Sequence, residues 1–273
     1  MKAALIEYEG NRQSSLEQVG AVLQTNHFAL IRNFPLSKDT LAAFCRNFGP
    51  LLPAYGTRIE GEEDIVGDVW VNADLNEQER LLTEGNSELG PHTAHAWRIH
   101  RPRYFGLLMI NPGWRDQEAG NNGESIFTHI DDILSEMKRV YPESFNLDFK
   151  LLHETPVELQ IRHAEDEIDH SPLLFDIEDG GIGLRYKGNT LELIAEAIPT
   201  IPNGRAYHEA LSRLYVTAQH TEARLEVSLE AGDFAFFDNR RIMHARNTFP
   251  FSRTGGNEVT EVNPRRLYNI HVL

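Results

Sequence analysis

The sequence predicts a mainly β domain with flanking α-helices, arranged as a jelly roll, which is a double-stranded β-helix. Two observations lead to this fold class. Short apolar or alternating segments recur along the chain, and the few helical segments are grouped between them instead of alternating with strands one by one. A chain of 273 residues is long enough for one substantial core. We therefore expect residues 1–273 to form a single domain.

The composition indicates which kinds of partner the protein binds and in which cellular compartment it is found. The chain has 26 basic and 41 acidic residues, giving a net charge of −15, whereas nucleic-acid polymers and anionic membranes require a basic face. The one cysteine, Cys45, excludes an internal disulfide. The first residues lack the apolar run of a signal peptide, and no apolar stretch approaches the length of a membrane span. We expect a cytoplasmic protein with a small-molecule substrate.

The N-terminal third predicts one strand, one helix and a long loop. Phe28–Ile31 is a short apolar run typical of a buried strand. Ser37 is a suitable N-cap for a helix over Lys38–Phe48, which Gly49 would end. Residues 74–89 are polar, rich in glutamate and interrupted by glycine, which predicts a lid loop.

The middle of the chain predicts two strands and a helix. Tyr104–Ile110 is a continuous apolar run, as expected of a buried strand. Gly123–Phe127 predicts a strand that returns to the sheet. Apolar residues at helical spacing then predict a helix over Ile130–Val140.

The C-terminal third predicts a long helix followed by strands. The helix is expected to start near Asn203, and Leu225–Leu229 alternates strictly enough to predict a half-buried strand. Phe234–Phe237 predicts another strand. Residues 248–263 are polar and glycine-rich, so we expect a loop there, before a terminal strand over Arg266–Leu273.

Two distant histidines indicate an iron site with one protein ligand missing. Non-haem iron oxygenases hold Fe(II) with two histidines and one carboxylate, which leaves open positions for a co-substrate and oxygen. On a strand, residues i and i+2 point to the same side, so a His-x-Asp or His-x-Glu pair can supply two of the ligands. His92 and Ala94 have this spacing, with an alanine in place of the carboxylate, and His244 follows a predicted strand.

Four segments resemble the clavaminate-synthase-like and taurine-dioxygenase-like family of Fe(II)/2-oxoglutarate oxygenases, in the expected order. They are His92–Arg98 with Arg101–Tyr104, Gly123–Ser125, Gly232–Arg241 with His244–Arg246, and Arg265–Leu267. The resemblance implies a cupin-like fold and His92 and His244 as iron ligands. It implies that Ser125, together with Arg265 or Arg266, holds 2-oxoglutarate, since a guanidinium binds a carboxylate in bidentate fashion. The family often has a second arginine where this chain has Asn269.

The alanine at position 94 makes the chain resemble one variant of this family in particular. In the 2-oxoglutarate halogenases a small residue replaces the carboxylate, and chloride takes its coordination position. The resemblance therefore implies Fe(II), 2-oxoglutarate, O2 and chloride as cofactors and co-substrates. The predicted reaction chlorinates an unactivated aliphatic C–H of a small free metabolite. An amino acid or derivative is favoured and a nucleotide comes second, while nothing in the sequence marks a docking surface for a carrier protein.

Two other histidine motifs and a non-enzymatic function are the alternatives. His163-Ala164-Glu165 contains a carboxylate, and if it held iron the enzyme would be an ordinary hydroxylase. His129-Ile130-Asp131 lies at the predicted start of a helix, where residues two apart diverge by about 200°, so a structural role is expected. The chain could also be a binding protein that kept the fold and lost catalysis.

Three further residues have both a functional and a structural interpretation. Trp97 is a candidate wall of the substrate pocket, and its alternative is ordinary core packing. Arg185 is a candidate partner for a substrate carboxylate or phosphate, and its alternative is a surface salt bridge. Ser125 would either contact 2-oxoglutarate or act as a strand-end hydroxyl that caps the following turn.

Overall fold

The computed structural model describes residues 4–10, 13–53, 65–70, 85–159, 169–250, 252–255 and 258–273. The helices are α1 (Gln13–Asn26), α2 (Lys38–Cys45), α3 (Ile130–Val140), α4 (Phe145–Glu154), α5 (Thr190–Ala197) and α6 (Gly204–His220). The strands are β1 (Ala4–Glu7), β2 (Phe28–Arg32), β3 (Leu51–Leu52), β4 (Val66–Trp70), β5 (Leu89–His92), β6 (Tyr104–Asn111), β7 (Ser125–His129), β8 (Val157–Glu158), β9 (His170–Ser171), β10 (Leu174–Asp176), β11 (Ile182–Leu184), β12 (Leu225–Val227), β13 (Phe234–Asp238), β14 (Ile242–Arg246), β15 (Ser252–Gly255), β16 (Glu258–Val262) and β17 (Arg266–Val272).

Two sheets face each other. The larger sheet has the strand order β1-β2-β13-β6-β17-β3, with β4 also paired to β17, and the smaller has the order β12-β7-β14-β5. Phe127 of the smaller sheet contacts Phe28 and Phe237 of the larger sheet, with ring centroids 4.7 and 5.2 Å apart. These rings belong to an apolar cluster between the sheets, the inner cluster, which also contains Ala94 and Leu267.

Helices cover the outer face of each sheet. Helices α1 and α2 pack on the larger sheet through an apolar cluster that includes Phe44 and Phe234, the outer cluster. Helices α3, α4 and α6 pack on the smaller sheet, where Ile133 and Leu214 are fully buried with Met243 of β14. Side chains along each strand therefore alternate between a helix layer and the inner space, as the pleat requires.

Most of the predicted helices and strands are present at the predicted positions. The apolar runs form β2, β6 and β13, and the helical spacings form α3 and α6. Ser37 does cap α2, accepting a hydrogen bond from the Thr40 N–H at 3.3 Å, although the helix ends at Cys45 instead of Phe48. Within the described part of the chain, no helix is long and apolar enough to span a bilayer.

Two predictions about local structure are wrong. The segment 248–263, expected to be a loop, contains the hairpin of β15 and β16. Strand β5 ends at His92, so Ala94 lies in the following turn and not on the strand. The predicted lid over 74–89 falls mostly on residues 71–84, which lie outside the described residues.

Candidate active site

A pair of histidines faces the inner space from the smaller sheet. His92 at the end of β5 lies directly opposite His244 of β14 in the antiparallel pairing, with the ring centroids 4.0 Å apart. On β14, Ile242 belongs to the inner cluster and Met243 packs under the helices, so alternation directs His244 inward. Rings of the larger sheet meet it there, with the Phe105 centroid at 5.0 Å. The register of two strands thus brings the two predicted iron ligands together.

The buried environment keeps both imidazoles neutral. The pKa of His92 is lowered, chiefly by burial, and the pKa of His244 is held well below its usual range by burial and by the neighbouring His92 and His271. The Nδ1 of His92 lies 2.9 Å from the Gly90 carbonyl oxygen, so a proton on Nδ1 would be donated there and leave Nε2 as the electron-pair donor. Neutral imidazole is the form that binds a transition metal.

Within the described part of the chain, this pair has no third protein donor beside it. Among the described residues, no group of three or more His, Cys, Asp or Glu side chains is arranged to hold a metal ion. The His244 Nδ1 atom is buried without a hydrogen-bond partner in that same part of the chain. The donor set therefore fits a metal that takes two nitrogens from the chain and its remaining ligands from elsewhere.

Ala94 lies in the turn that follows His92, and its main chain is held on both sides. The Ala94 N–H donates to the Asn239 side-chain oxygen at 2.7 Å, and the Asn239 amide nitrogen donates to the Ala94 carbonyl at 3.0 Å. Its methyl group is buried in the inner cluster. The turn, and not a strand, therefore positions Ala94 on the side of the inner space, and its side chain offers no donor.

Arg265 and Ser125 meet at the other side of this space. The Arg265 guanidinium donates to the Ser125 hydroxyl at 3.2 Å. Burial, with Arg246 and Arg115 nearby, lowers the pKa of Arg265 to about 9. Gly123 allows this approach, since a Cβ there would lie 3.1 Å from the Arg265 Cδ, and its φ of +69° also favours glycine. A buried guanidinium among cations is a site for an anion.

Arg266 faces the opposite way. Its guanidinium forms a bidentate ion pair with Asp68 of β4, at 2.9 Å from Nε and 2.5 Å from Nη2, and its side chain is 43% exposed. The sequence left the choice between Arg265 and Arg266 open. Their contacts differ, since Arg265 donates to Ser125 whereas Arg266 pairs with Asp68.

Sequence reasoning assigned no role to Arg246, although it is close to both groups. It follows His244 by two residues on β14 and is therefore on the same face of the strand. Its guanidinium donates to the carbonyls of Gly85 and Ser87, at 2.8 and 2.7 Å. Burial lowers its pKa to about 10, and its charge also lowers the pKa of Arg265. Strand periodicity counted from His244 would have found it.

Trp97 is half-buried and Arg185 is fully buried. Trp97 packs against the apolar layer under the helices, and its ring centroid is 5.4 Å from that of His95. Arg185 is fully buried, and its guanidinium donates to the carbonyls of Pro172, Val157 and Ser171. Arg185 does form a salt bridge, with Asp169 at 3.6 Å, but the arginine side chain is buried and not at the surface. Its backbone contacts indicate that it fixes the chain around β9 and β10.

Of the two competing histidine motifs, the one at His129 lies among the described residues. His129 caps α3 by accepting a hydrogen bond from the Asp131 N–H at 3.1 Å, and the Asp131 side chain is largely exposed. These contacts indicate the structural role that the sequence predicts for His129 and Asp131. The motif His163-Ala164-Glu165 lies outside the described residues.

These features define a class of protein: two facing sheets, covered outside by helices, with a facing histidine pair and a buried arginine between them. The chain belongs to the taurine catabolism dioxygenase TauD, TfdA family, whose model matches residues 5–268. Membership in a dioxygenase family makes this chain an oxidoreductase, and it confirms the predicted resemblance to taurine-dioxygenase-like proteins.

Individual relatives are distant. A 3-((Z)-2-isocyanoethenyl)-1H-indole synthase of Fischerella ambigua (strain UTEX 1903) is 24% identical over 273 residues, covering 96% of this chain and 88% of the relative. The crystal structure of PvcB from Pseudomonas aeruginosa has a TM-score of 0.64 at 16% identity, covering 99% of this chain and 85% of that one. A taurine dioxygenase from Burkholderia xenovorans has a TM-score of 0.63 at 18% identity, with 99% and 86% covered. These similarities establish a shared fold.

Proposed function

We propose that the protein is an Fe(II)/2-oxoglutarate-dependent halogenase that chlorinates an aliphatic carbon of a small free metabolite. The facing pair of the half-buried His92 and the buried His244, beside the donor-free Ala94, is the observation that carries this proposal. Iron with 2-oxoglutarate and O2 would supply the oxidising power to remove a hydrogen atom from an unactivated C–H bond. In balance, R–H, chloride, a proton, O2 and 2-oxoglutarate give R–Cl, succinate, CO2 and water.

The proposed iron ligands are His92 and His244. Their burial and neutral imidazoles suit a divalent transition metal, and the Gly90 carbonyl orients the His92 ring. Apolar rings of the inner cluster, Phe105 and Phe237, pack against His244. The two facing sheets support the related proposal that the chain is one jelly-roll domain.

The proposed 2-oxoglutarate site is centred on Arg265. A dianion would offset the cost of burying this guanidinium with Arg246 and Arg115 nearby. Ser125, the hydroxyl that accepts from Arg265, would complete the contact with a carboxylate oxygen. Arg246 adds positive potential and holds the chain at Gly85 and Ser87, the end of the proposed lid.

Ala94 is proposed as the chloride position. It offers no oxygen ligand, and its methyl group leaves room for an anion larger than a carboxylate oxygen. The Asn239 hydrogen bonds fix the turn that carries Ala94 after His92. Arg246, whose charge reaches His92, favours an anion at this point.

Replacing Arg265 with methionine is expected to raise the KM for 2-oxoglutarate by about 100-fold, roughly 3 kcal/mol, because a charge-assisted contact in a buried site is lost. The ligand-free protein should keep or increase its Tm, since a buried cation among cations has been removed. Succinate formation at varied 2-oxoglutarate and thermal unfolding measure the two effects.

Arg266→Met is the matched control. It removes a half-exposed ion pair with Asp68, which contributes about 0–1 kcal/mol to stability, and it should leave the KM for 2-oxoglutarate within about threefold of wild type. Equal effects of the two substitutions on this KM would contradict the assignment of Arg265.

The alternative function is hydroxylation of a similar small molecule. One similar structure favours this alternative, that of an asparagine oxygenase in complex with Fe(II), 3-hydroxyasparagine and succinate. The similarity covers 96% of this chain, with a TM-score of 0.61 and 15% identity. In that case water, or Glu165, would take the place of chloride. Names of relatives that refer to asparagine and to an indole product support an amino acid or derivative as the substrate.

The two functions are distinguished by supplying the iron-loaded enzyme with 2-oxoglutarate, O2 and an amino-acid and nucleotide panel, with and without chloride. We expect succinate in both series and a product with one hydrogen replaced by chlorine only when chloride is present. Hydroxylated product in both series would establish the alternative. Absence of succinate throughout would favour a binding protein.

A further inference from the structure

Strand β17, which begins directly after Arg265, carries two polar side chains on its inner face. Leu267 belongs to the inner cluster, and alternation places Asn269 and His271 on the same face. Ile270, between them, and Val272, which follows His271, pack in the outer cluster. Asn269 and His271 therefore face the space that His92 and His244 enter from the opposite sheet.

His271 lies close to the histidine pair. The Phe105 ring is between them, with its centroid 5.0 Å from that of His244 and 4.8 Å from that of His271. On its other side His271 stacks on His95, with ring centroids 4.2 Å apart. His95 follows Ala94 directly and has a φ of +53°, so the stack also supports the turn that carries Ala94.

Both side chains have an atom with an unused hydrogen-bonding capacity. Asn269 Oδ1 and His271 Nδ1 are buried without a hydrogen-bond partner among the described residues, and His271 is 3% exposed. Buried polar atoms of this kind cost free energy unless a ligand or an ordered water pairs with them. Two of them at alternate positions of one strand form a continuous polar strip in an otherwise apolar wall.

The charges around this strip favour an uncharged occupant. Asn269 has no charge, and burial, with His95 and Arg98 nearby, holds the pKa of His271 well below its usual range, so both side chains are neutral. The positive charge of Arg98 disfavours an ammonium group. Arg98 has interactions of its own within the protein, so a carboxylate would not find a dedicated cation here.

We propose that His271 and Asn269 determine substrate specificity by binding an uncharged hydrogen-bonding group of the substrate, a carboxamide or similar N–H or hydroxyl group. This inference rests on the proposed function, since it places the substrate between β17 and the histidine pair. The favoured substrate is then an amino-acid derivative. It would present a neutral polar group, and not a free carboxylate, to Asn269 and His271.

The test uses the visible charge-transfer absorption of the anaerobic iron–2-oxoglutarate complex, which changes when a molecule fills the adjacent substrate space. Acetamide and propionamide are titrated against acetate, propionate and methylammonium. We expect the two amides to perturb the band at lower concentration than any of the ions. His271→Phe and Asn269→Leu should each raise the amide dissociation constant about fivefold, as for one neutral hydrogen bond.

Tyr268→Phe is the matched control, because it changes the same strand on its opposite face, and it should leave amide binding unchanged. Preferential binding of the acids or of methylammonium, or no response to any fragment, would overturn the inference, as would undiminished amide binding in both variants. Absence of the charge-transfer band in the wild type before any fragment is added would instead contradict the proposed iron and 2-oxoglutarate site.

Discussion

Replacing His244 with alanine is expected to abolish iron binding and to lower kcat/KM at least ~1000-fold, about 4 kcal/mol in transition-state free energy. The reason is that His92 would remain as the single imidazole donor, since Ala94 supplies none. His92→Ala should have the same effect. Bound iron after gel filtration, and succinate formation with and without added iron, measure the loss.

Two histidine substitutions serve as controls for this result. His129→Ala removes the cap of α3 and is expected to reduce stability by about 1 kcal/mol while retaining iron. His163→Ala removes the donor of the competing His-x-Glu motif and should also retain iron. Loss of iron in His163→Ala with retention in His92→Ala would transfer the metal site to the competing motif and exclude the chloride position at Ala94.

Replacing Ala94 with aspartate is expected to lower chlorination by more than ~100-fold, about 3 kcal/mol, because the new carboxylate competes with chloride for the metal. Hydroxylated product should appear if the carboxylate reaches iron in good geometry. The Asn239 hydrogen bonds hold the turn in place, so the change acts through the side chain. Mass spectrometry of the product at fixed chloride gives the ratio of the two outcomes.

Ala94→Gly is the matched variant, since it adds no donor and enlarges the space slightly. We expect it to retain chlorination within about tenfold of wild type, the loss reflecting a looser turn. Tm with and without iron shows whether the aspartate variant folds, because an unliganded carboxylate in the inner cluster would destabilise the protein. Unchanged chlorination in a folded aspartate variant would mean that position 94 does not face the metal.

The elements that the sequence predicted well are those with a strong period or a long apolar run. Tyr104–Asn111 is buried on nearly its whole length, and α3 keeps its apolar residues on one face. The hairpin of Ser252–Gly255 and Glu258–Val262 was missed because its sequence is polar and rich in glycine. Such a hairpin is held by main-chain pairing, which leaves no apolar period to read.

The site residues were predictable by motif, but their arrangement depended on contacts distant in sequence. The pairing of His92 with His244, and the amide of Asn239 that fixes Ala94, join segments far apart along the chain. The i, i+2 spacing of His92 and Ala94 is that of a strand, but β5 ends at His92, two residues before Ala94. Arg265 and Arg266 could not be separated until the partner strands showed which face each one occupies.

The claim that Ala94 marks a halide position on iron is tested most directly by anomalous X-ray scattering. Crystals of the anaerobic enzyme with iron and 2-oxoglutarate would be prepared with bromide in place of chloride. We predict an iron peak bonded to His92 and His244 and a bromide peak bonded to the iron beside Ala94. Iron that carries only oxygen ligands at that position, or that lies on the carboxylate of Glu165, would contradict it.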